Sequence, residues 1–135
     1  MNEQQVLLVQ RSWRLLRSVD PLLVGSVFYD KLFADHPALR RMFRIARDEQ
    51  SRKLIDMLNR IIARMSYPDA MEPEIRQMAI RHTGYGVKPE HYAAVGRALL
   101  WTLEQGMGGD WNAEVRDAWE ACYADLANTM IGEAY

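Results

Sequence analysis

Apolar residues recur along this chain three and four positions apart, the period of helices buried on one face. No convincing run alternates as a strand would. Val6, Val9, Trp13 and Leu16 make the first stripe, and Asn2 with Gln5 can act as its capping box. Asp20-Pro21 sets a cap before a first-turn proline and opens a helix with Leu22, Tyr29, Leu32 and Phe33 on or near one face. Asp35-His36-Pro37 repeats that start signal for a short helix ending near Phe43. A connection through Asp48 leads to a long helix with Leu54, Met57, Leu58, Ile61 and Met65 inward. Ser66 to Met71 reads as a turn with Pro68 as breaker, and a helix follows from about Pro73 to His82. Pro89 opens the next, with Tyr92, Val95, Gly96, Leu99, Leu100 and Leu103 inward and Gly106, Gly108 and Gly109 as its stop. Asn112 caps a last helix carrying Val115, Trp119, Cys122, Tyr123, Leu126 and Met130. The pattern predicts an all-α fold of about seven helices joined by tight corners, unlike the long rods of an up-down bundle. A chain of 135 residues is expected to form one domain over 1–135 and to bury roughly two thirds of its unfolded surface.

One position in this pattern is chemically distinct. His82 falls in register with Ile75, Met78 and Ala79, so its imidazole faces inward. The segment Gly84-Tyr85-Gly86-Val87-Lys88-Pro89 then ends one helix and starts another. The histidine thus sits just before a sharp corner, where a pocket would open. The pattern leaves two readings open: a core histidine satisfied by one or two hydrogen bonds, or a ligand.

Charge narrows the function classes. The formal net charge is −1, with both signs mixed along the chain, so no field favours nucleic acid or an anionic membrane. No apolar run approaches the roughly 18 residues needed to cross a bilayer. Met1-Asn2-Glu3-Gln4-Gln5 lacks the features of a signal peptide, so the expected compartment is cytoplasmic. Arg40, Arg41, Arg44 and Arg47, interrupted by Met42, Phe43 and Ile45, read as a solvated rim, or as partners for carboxylates at a pocket edge. The single cysteine, Cys122, excludes an internal disulfide and reads as a small buried hydrophobe. No Cys-x-x-Cys-His occurs, which excludes thioether attachment of a haem.

Taken in order, several segments carry a likeness. Val27-Phe28-Tyr29-Asp30-Lys31-Leu32-Phe33, His36-Pro37 and Met42-Phe43 come first, followed by Gln50-Ser51-Arg52-Lys53-Leu54. Arg81-His82 with Tyr85-Gly86-Val87, then His91-Tyr92, Val95-Gly96 and Leu99-Leu100, form the next block, and Trp119 with Tyr123 the last. Together the chain resembles a single-domain bacterial globin, close to the haemoglobin domain of flavohaemoglobins. The resemblance implies a globin fold around a haem pocket holding haem b, non-covalent protoporphyrin IX iron. It implies that His82 binds the iron, since neutral imidazole is a good iron ligand, and that Phe43 packs flat on the porphyrin. Leu54, Val87, Tyr92 and Leu99 would line the cofactor, with Leu54 also closing the apolar distal side. Tyr29 and Gln50 would be the distal pair, donating hydrogen bonds to a gas ligand that carries partial negative charge. In the family a glutamate in the last helix is bonded through a tyrosine to the proximal histidine, which here would make a Tyr92–Glu133 relay. The matching position is about Ala134, with Glu133 adjacent, and a one-residue slip changes the helix face.

Three functions follow from the resemblance. The first is reversible dioxygen binding, for storage, delivery or oxygen transport. The second is nitric oxide dioxygenation; with no dinucleotide-binding fingerprint in the chain, its electrons would come from a separate reductase. The third, a non-haem sensor of globin fold, has no need of His82 and Phe43 together. The expected small-molecule partners are dioxygen, nitric oxide and carbon monoxide.

Overall fold

A computed structural model of the chain describes residues 2–43, 46–66, 73, 75–81 and 87–134, with side chains to residue 131. Helix α1 spans Glu3–Arg17, α2 Pro21–Asp35, α3 Arg47–Ala63, α4 residues 75–81, α5 Pro89–Met107 and α6 Ala113–Ala134. Short 3-10 turns occupy Pro37–Met42 and Gly108–Asp110. Among the described residues there is no strand.

The helix starts follow their local chemistry. Asn2 and Gln5 cap α1 reciprocally, each side chain accepting from the other's backbone N–H. Asp20 accepts from the Leu22 N–H at 2.9 Å ahead of Pro21, and Asn112 accepts from the Val115 N–H at 2.9 Å. Gly108 ends α5 at φ 53°, a conformation open to glycine at little cost. Two starts differ from expectation. Asp35 caps nothing and instead pairs with Lys31 at 3.2 Å, leaving the Pro37–Met42 turn without a side-chain cap. Helix α3 begins at Arg47, one residue before Asp48, and also lacks one.

Packing divides the interior in two. The larger cluster gathers residues of α1, α2, α3, α5 and α6, including Val9, Trp13, Leu32, Leu58, Leu103 and Trp119. Each such side chain contributes about 1.5–3 kcal/mol by leaving water. Its two indoles lie 6.1 Å apart, and both N–H groups are satisfied, Trp13 by the Asn59 side chain and Trp119 by the Ser12 hydroxyl. The smaller cluster joins Ile61 of α3, Ile75, Met78 and Ala79 of α4, Tyr92 of α5, and Ala127 and Met130 of α6. Met57 and Tyr123, both half-buried, pack against both clusters and mark the seam between them.

Most expected inward positions are buried, while Val6, Leu22, Val95, Leu100 and Leu126 are half-buried, and α3 shows the clearest shift. Helix α3 buries Ser51, Ile55, Leu58, Ile61 and Ile62, whereas Leu54 and Met57 are only half-buried. Two adjacent stripes therefore run along this helix, one sunk in the core and one partly uncovered. Cys122 is half-buried rather than fully so. Burial and the nearby Asp125 carboxylate push its thiol up to about 12, so it stays protonated near neutral pH.

Candidate functional site

Helix α2 presents Tyr29 inward because it lies one turn after Gly25 and three residues before Leu32, on the buried face of that helix. Its ring stacks near Phe33, centroids 5.9 Å apart, and meets Phe28 and Phe43 edge-on at 4.9 and 5.3 Å. Phe43, at the exit of the Pro37–Met42 turn, also meets Phe33 edge-on at 5.4 Å and stays half-buried. Edge-to-face contacts of this kind suit the ring quadrupoles.

Cations close the outer side of these rings. Arg40 stands 5.1 Å from the Phe33 centroid, and Arg47 lies 5.9 and 5.7 Å from those of Tyr29 and Phe33. Arg47 also donates to the Asp30 carboxylate at 2.7 Å, tying α2 to α3. Of the expected arginine rim, Arg40 and Arg41 are exposed, Arg47 is a tether, and Arg44 lies outside the described residues.

The Tyr29 hydroxyl donates to the Gln50 backbone carbonyl at 3.5 Å, the outer limit of a hydrogen bond. Burial pushes this phenol up to about 12, partly opposed by the Gln50 side chain and the Arg47 guanidinium. It is therefore a neutral donor at ordinary pH with a long bond, able to turn toward a better acceptor. Gln50, Leu54 and Met57 then follow one another along the half-buried stripe of α3: an amide at its head and apolar groups beyond.

The other predicted residues fall on both sides of the seam. Leu99 is buried in the larger cluster, against which Phe43 and Leu54 also pack. Tyr92 belongs to the smaller cluster, with half-buried Val87 packed against it. His82, the expected iron ligand, lies outside the described residues, as do the side chain of Glu133 and Tyr85 of the corner. The remaining two histidines are occupied at helix ends. His91 Nδ1 accepts from the Lys88 N–H at 3.0 Å, and His36 Nε2 lies 3.3 Å from Arg97. Among the described residues no cluster of three or more His, Cys, Asp or Glu side chains is placed to hold a metal ion.

Sequence reasoning undervalued two residues. Tyr123 donates from its hydroxyl to the Tyr92 backbone carbonyl, and a Cβ at Gly96 would lie 2.5 Å from its ring. The absence of a side chain at residue 96 thus lets the Tyr123 ring lie on α5 and brace the start of that helix. Burial, with Tyr92 nearby, raises its phenol pKa. Met57 reached the sequence reading only as a core residue; its place one turn beyond Leu54 was the available signal.

These residues fit haem. A flat apolar ligand needs partly uncovered apolar walls, supplied by Phe43, Leu54, Met57 and Val87, and a polar gas on its iron needs a donor whose present bond is weak, supplied by Tyr29. No helix among the described residues is long and apolar enough to cross a membrane.

Comparison with known proteins agrees with this geometry. The Globin family model matches residues 26–130. A flavohemoprotein of Bacillus subtilis is 28% identical over 135 residues, covering 93% of this chain and 34% of its own length. A flavohemoprotein of Deinococcus radiodurans is 35% identical over 112 residues, covering 81% of this chain and 28% of its own. Among solved structures, an engineered carbene transferase, a variant of a Rhodothermus marinus protein assigned as a nitric oxide dioxygenase, superposes with a TM-score of 0.89. It is 25% identical, and the match covers 99% of this chain and 93% of that one. A bacterial globin of Campylobacter jejuni matches in fold, with a TM-score of 0.83 at 23% identity and coverage of 98% and 96%. The chain spans about a third of the length of the flavohemoproteins it matches.

Proposed function

The chain belongs to the globin family, and on that premise we propose that it binds haem b without covalent attachment and takes up dioxygen reversibly. When bound, haem supplies an iron that accepts a diatomic gas. His82 is the proximal ligand in this reading: the family resemblance points to it, and His36 and His91 already serve helix ends. Phe43, Leu54 and Leu99 of the larger cluster, and Val87 and Tyr92 of the smaller one, would hold the cofactor. Tyr29 orients its proton toward the gas, and Gln50 offers a second donor. The observation that carries the reading is the Tyr29 phenol itself: buried, neutral, and joined to a backbone carbonyl by a bond at the 3.5 Å limit. A buried hydroxyl with so long a bond is poised for another acceptor.

Nitric oxide dioxygenation is the second reading. Its support is the relatives, named flavohemoproteins, and the Rhodothermus marinus protein assigned as a nitric oxide dioxygenase. In that reaction nitric oxide, dioxygen and one electron give nitrate, and a reductase supplies the electron. Absorption spectra of the purified protein test the haem reading. An intense near-ultraviolet haem band that shifts on reduction and again with carbon monoxide is expected; spectra that ignore carbon monoxide would refute it. Nitrate production from nitric oxide under air, sustained only when a flavin reductase and its reductant are added, would favour the second reading over simple carriage.

A further inference from the structure

We propose that the crossing of Gly25 and Ser51 sets how strongly this protein holds a polar gas, by fixing the spacing of the helices that carry Tyr29 and Gln50; this rests on the gas-binding reading above. Gly25 lies one turn before Tyr29 on α2, and Ser51 follows Gln50 on α3. A Cβ at Gly25 would lie 2.2 Å from both Cβ and Oγ of Ser51 and 2.8 Å from its Cα. The last of these is backbone, so no side-chain rotation relieves it and the helices would have to part. Ser51 is 0% exposed, and its hydroxyl has no hydrogen-bond partner among the described residues. A helical serine commonly bonds back to the carbonyl four residues earlier; this one instead faces the bare side of Gly25.

The distal pair sits between two pins. Toward the start of α3, Arg47 is bonded to Asp30; after Gln50 comes the Gly25–Ser51 crossing. The ion pair is largely solvent-exposed and yields easily, whereas the crossing is in hard contact. The Tyr29 hydroxyl already lies 3.5 Å from Gln50. Tyr29 and Gln50 converge on one small ligand only while α2 and α3 keep this spacing, and a hydrogen bond is lost over a few tenths of an ångström, so their joint reach depends steeply on this one contact. Gly25 and Ser51 are positioning residues; neither needs to touch the gas.

The test compares dioxygen and carbon monoxide release from haem-loaded variants, because a merely structural defect would alter both alike. Gly25→Ala is expected to speed dioxygen release about tenfold, equivalent to losing about one hydrogen bond, with carbon monoxide release changed far less. Moving the bulk across the interface in Gly25→Ala/Ser51→Gly removes two of the three clashes and should restore most of the loss. Ser51→Gly alone cannot clash and carries the test if Gly25→Ala does not fold: dioxygen release should slow about twofold to fivefold as the helices close. Crystal structures give an independent readout, the Tyr29–Gln50 distance lengthening in Gly25→Ala. Tyr29→Phe is the control. If it separates the two gases while Gly25→Ala alters both equally or neither, and Ser51→Gly does not slow dioxygen, the crossing plays no such role. If Tyr29→Phe itself fails to separate them, the distal reading falls instead.

Discussion

The corner between α2 and α3 and the smaller cluster across the seam are built by opposite means. In the corner, Tyr29, Phe33, Phe43, Arg47 and Gln50 come from two successive helices and the turn between them. They meet through ring edges, cations over ring faces and a long hydroxyl contact. The smaller cluster draws Ile61, Ile75, Met78, Tyr92, Ala127 and Met130 from four helices spread over half the chain. Apolar contact and the bond from Tyr123 to the Tyr92 carbonyl are among what holds it. The corner is assembled by contacts close in sequence, and the smaller cluster by packing between distant segments.

The comparison is broken most completely at His82. His82→Ala should abolish haem retention, while His36→Ala and His91→Ala keep it, since those rings serve helix ends. Full haem occupancy with an unchanged ferrous spectrum in His82→Ala would refute the ligand assignment.

The corner alone is tested next. Tyr29→Phe should raise the dioxygen dissociation rate strongly and Gln50→Leu moderately. Loss of both donors is worth about ten- to several hundred-fold, because each hydrogen bond in a dry pocket contributes about 0.5–1.5 kcal/mol and more toward a charged acceptor. Carbon monoxide, a poor acceptor, should leave at nearly the same rate, as stopped-flow mixing would record.

Haem removal sharpens the contrast. The apo protein should melt lower, since an empty apolar cavity costs about 20–25 cal/mol per Å3. Amide exchange should quicken more in α4 and the start of α5 than in α2. Uniform loosening, or equal melting of apo and holo protein, would show that the seam is not where the cofactor sits.

Smaller effects remain. Tyr123→Phe removes one bond across the seam and should cost about 0.5–1.5 kcal/mol in chemical denaturation, with the ratio of dioxygen to carbon monoxide release unchanged. Alkali should act on both walls. Tyr29 rises from its ordinary value of 10.0 to about 12, and the Tyr123 phenol is raised as well. Folded protein therefore holds these protons more tightly than unfolded chain. The Tyr29 contribution is fully present below about pH 10 and is lost as pH climbs toward 12, and that of Tyr123 is lost in the same direction. Tyr29→Phe should flatten that limb of the stability curve; an unaltered limb would place Tyr29 in water.

Helix positions and caps were legible in the chain because they are short-range physics. Asn2, Asp20 and Asn112 cap as their spacing predicts, Gly108 ends α5, and the apolar stripes find the core. Asp35 misled, because a lysine one turn back on α2 competes for its carboxylate. The resemblance carried the candidate residues in order, and their roles as haem contacts and donors remain proposals. Geometry across helices was not legible. Sequence periodicity named Leu54 and Met57 as inward but not that their stripe is the less covered of two on α3, because coverage depends on which helices arrive opposite. Tyr123 looked like one more apolar position of α6 until its hydroxyl met the Tyr92 carbonyl. No local signal sets Gly25 or Ser51 apart. Local periodicity and capping chemistry determine where each helix lies along the chain; the approach of α2 to α3, and with it the reach of Tyr29, exists only once the whole core has packed and brought two backbones into contact.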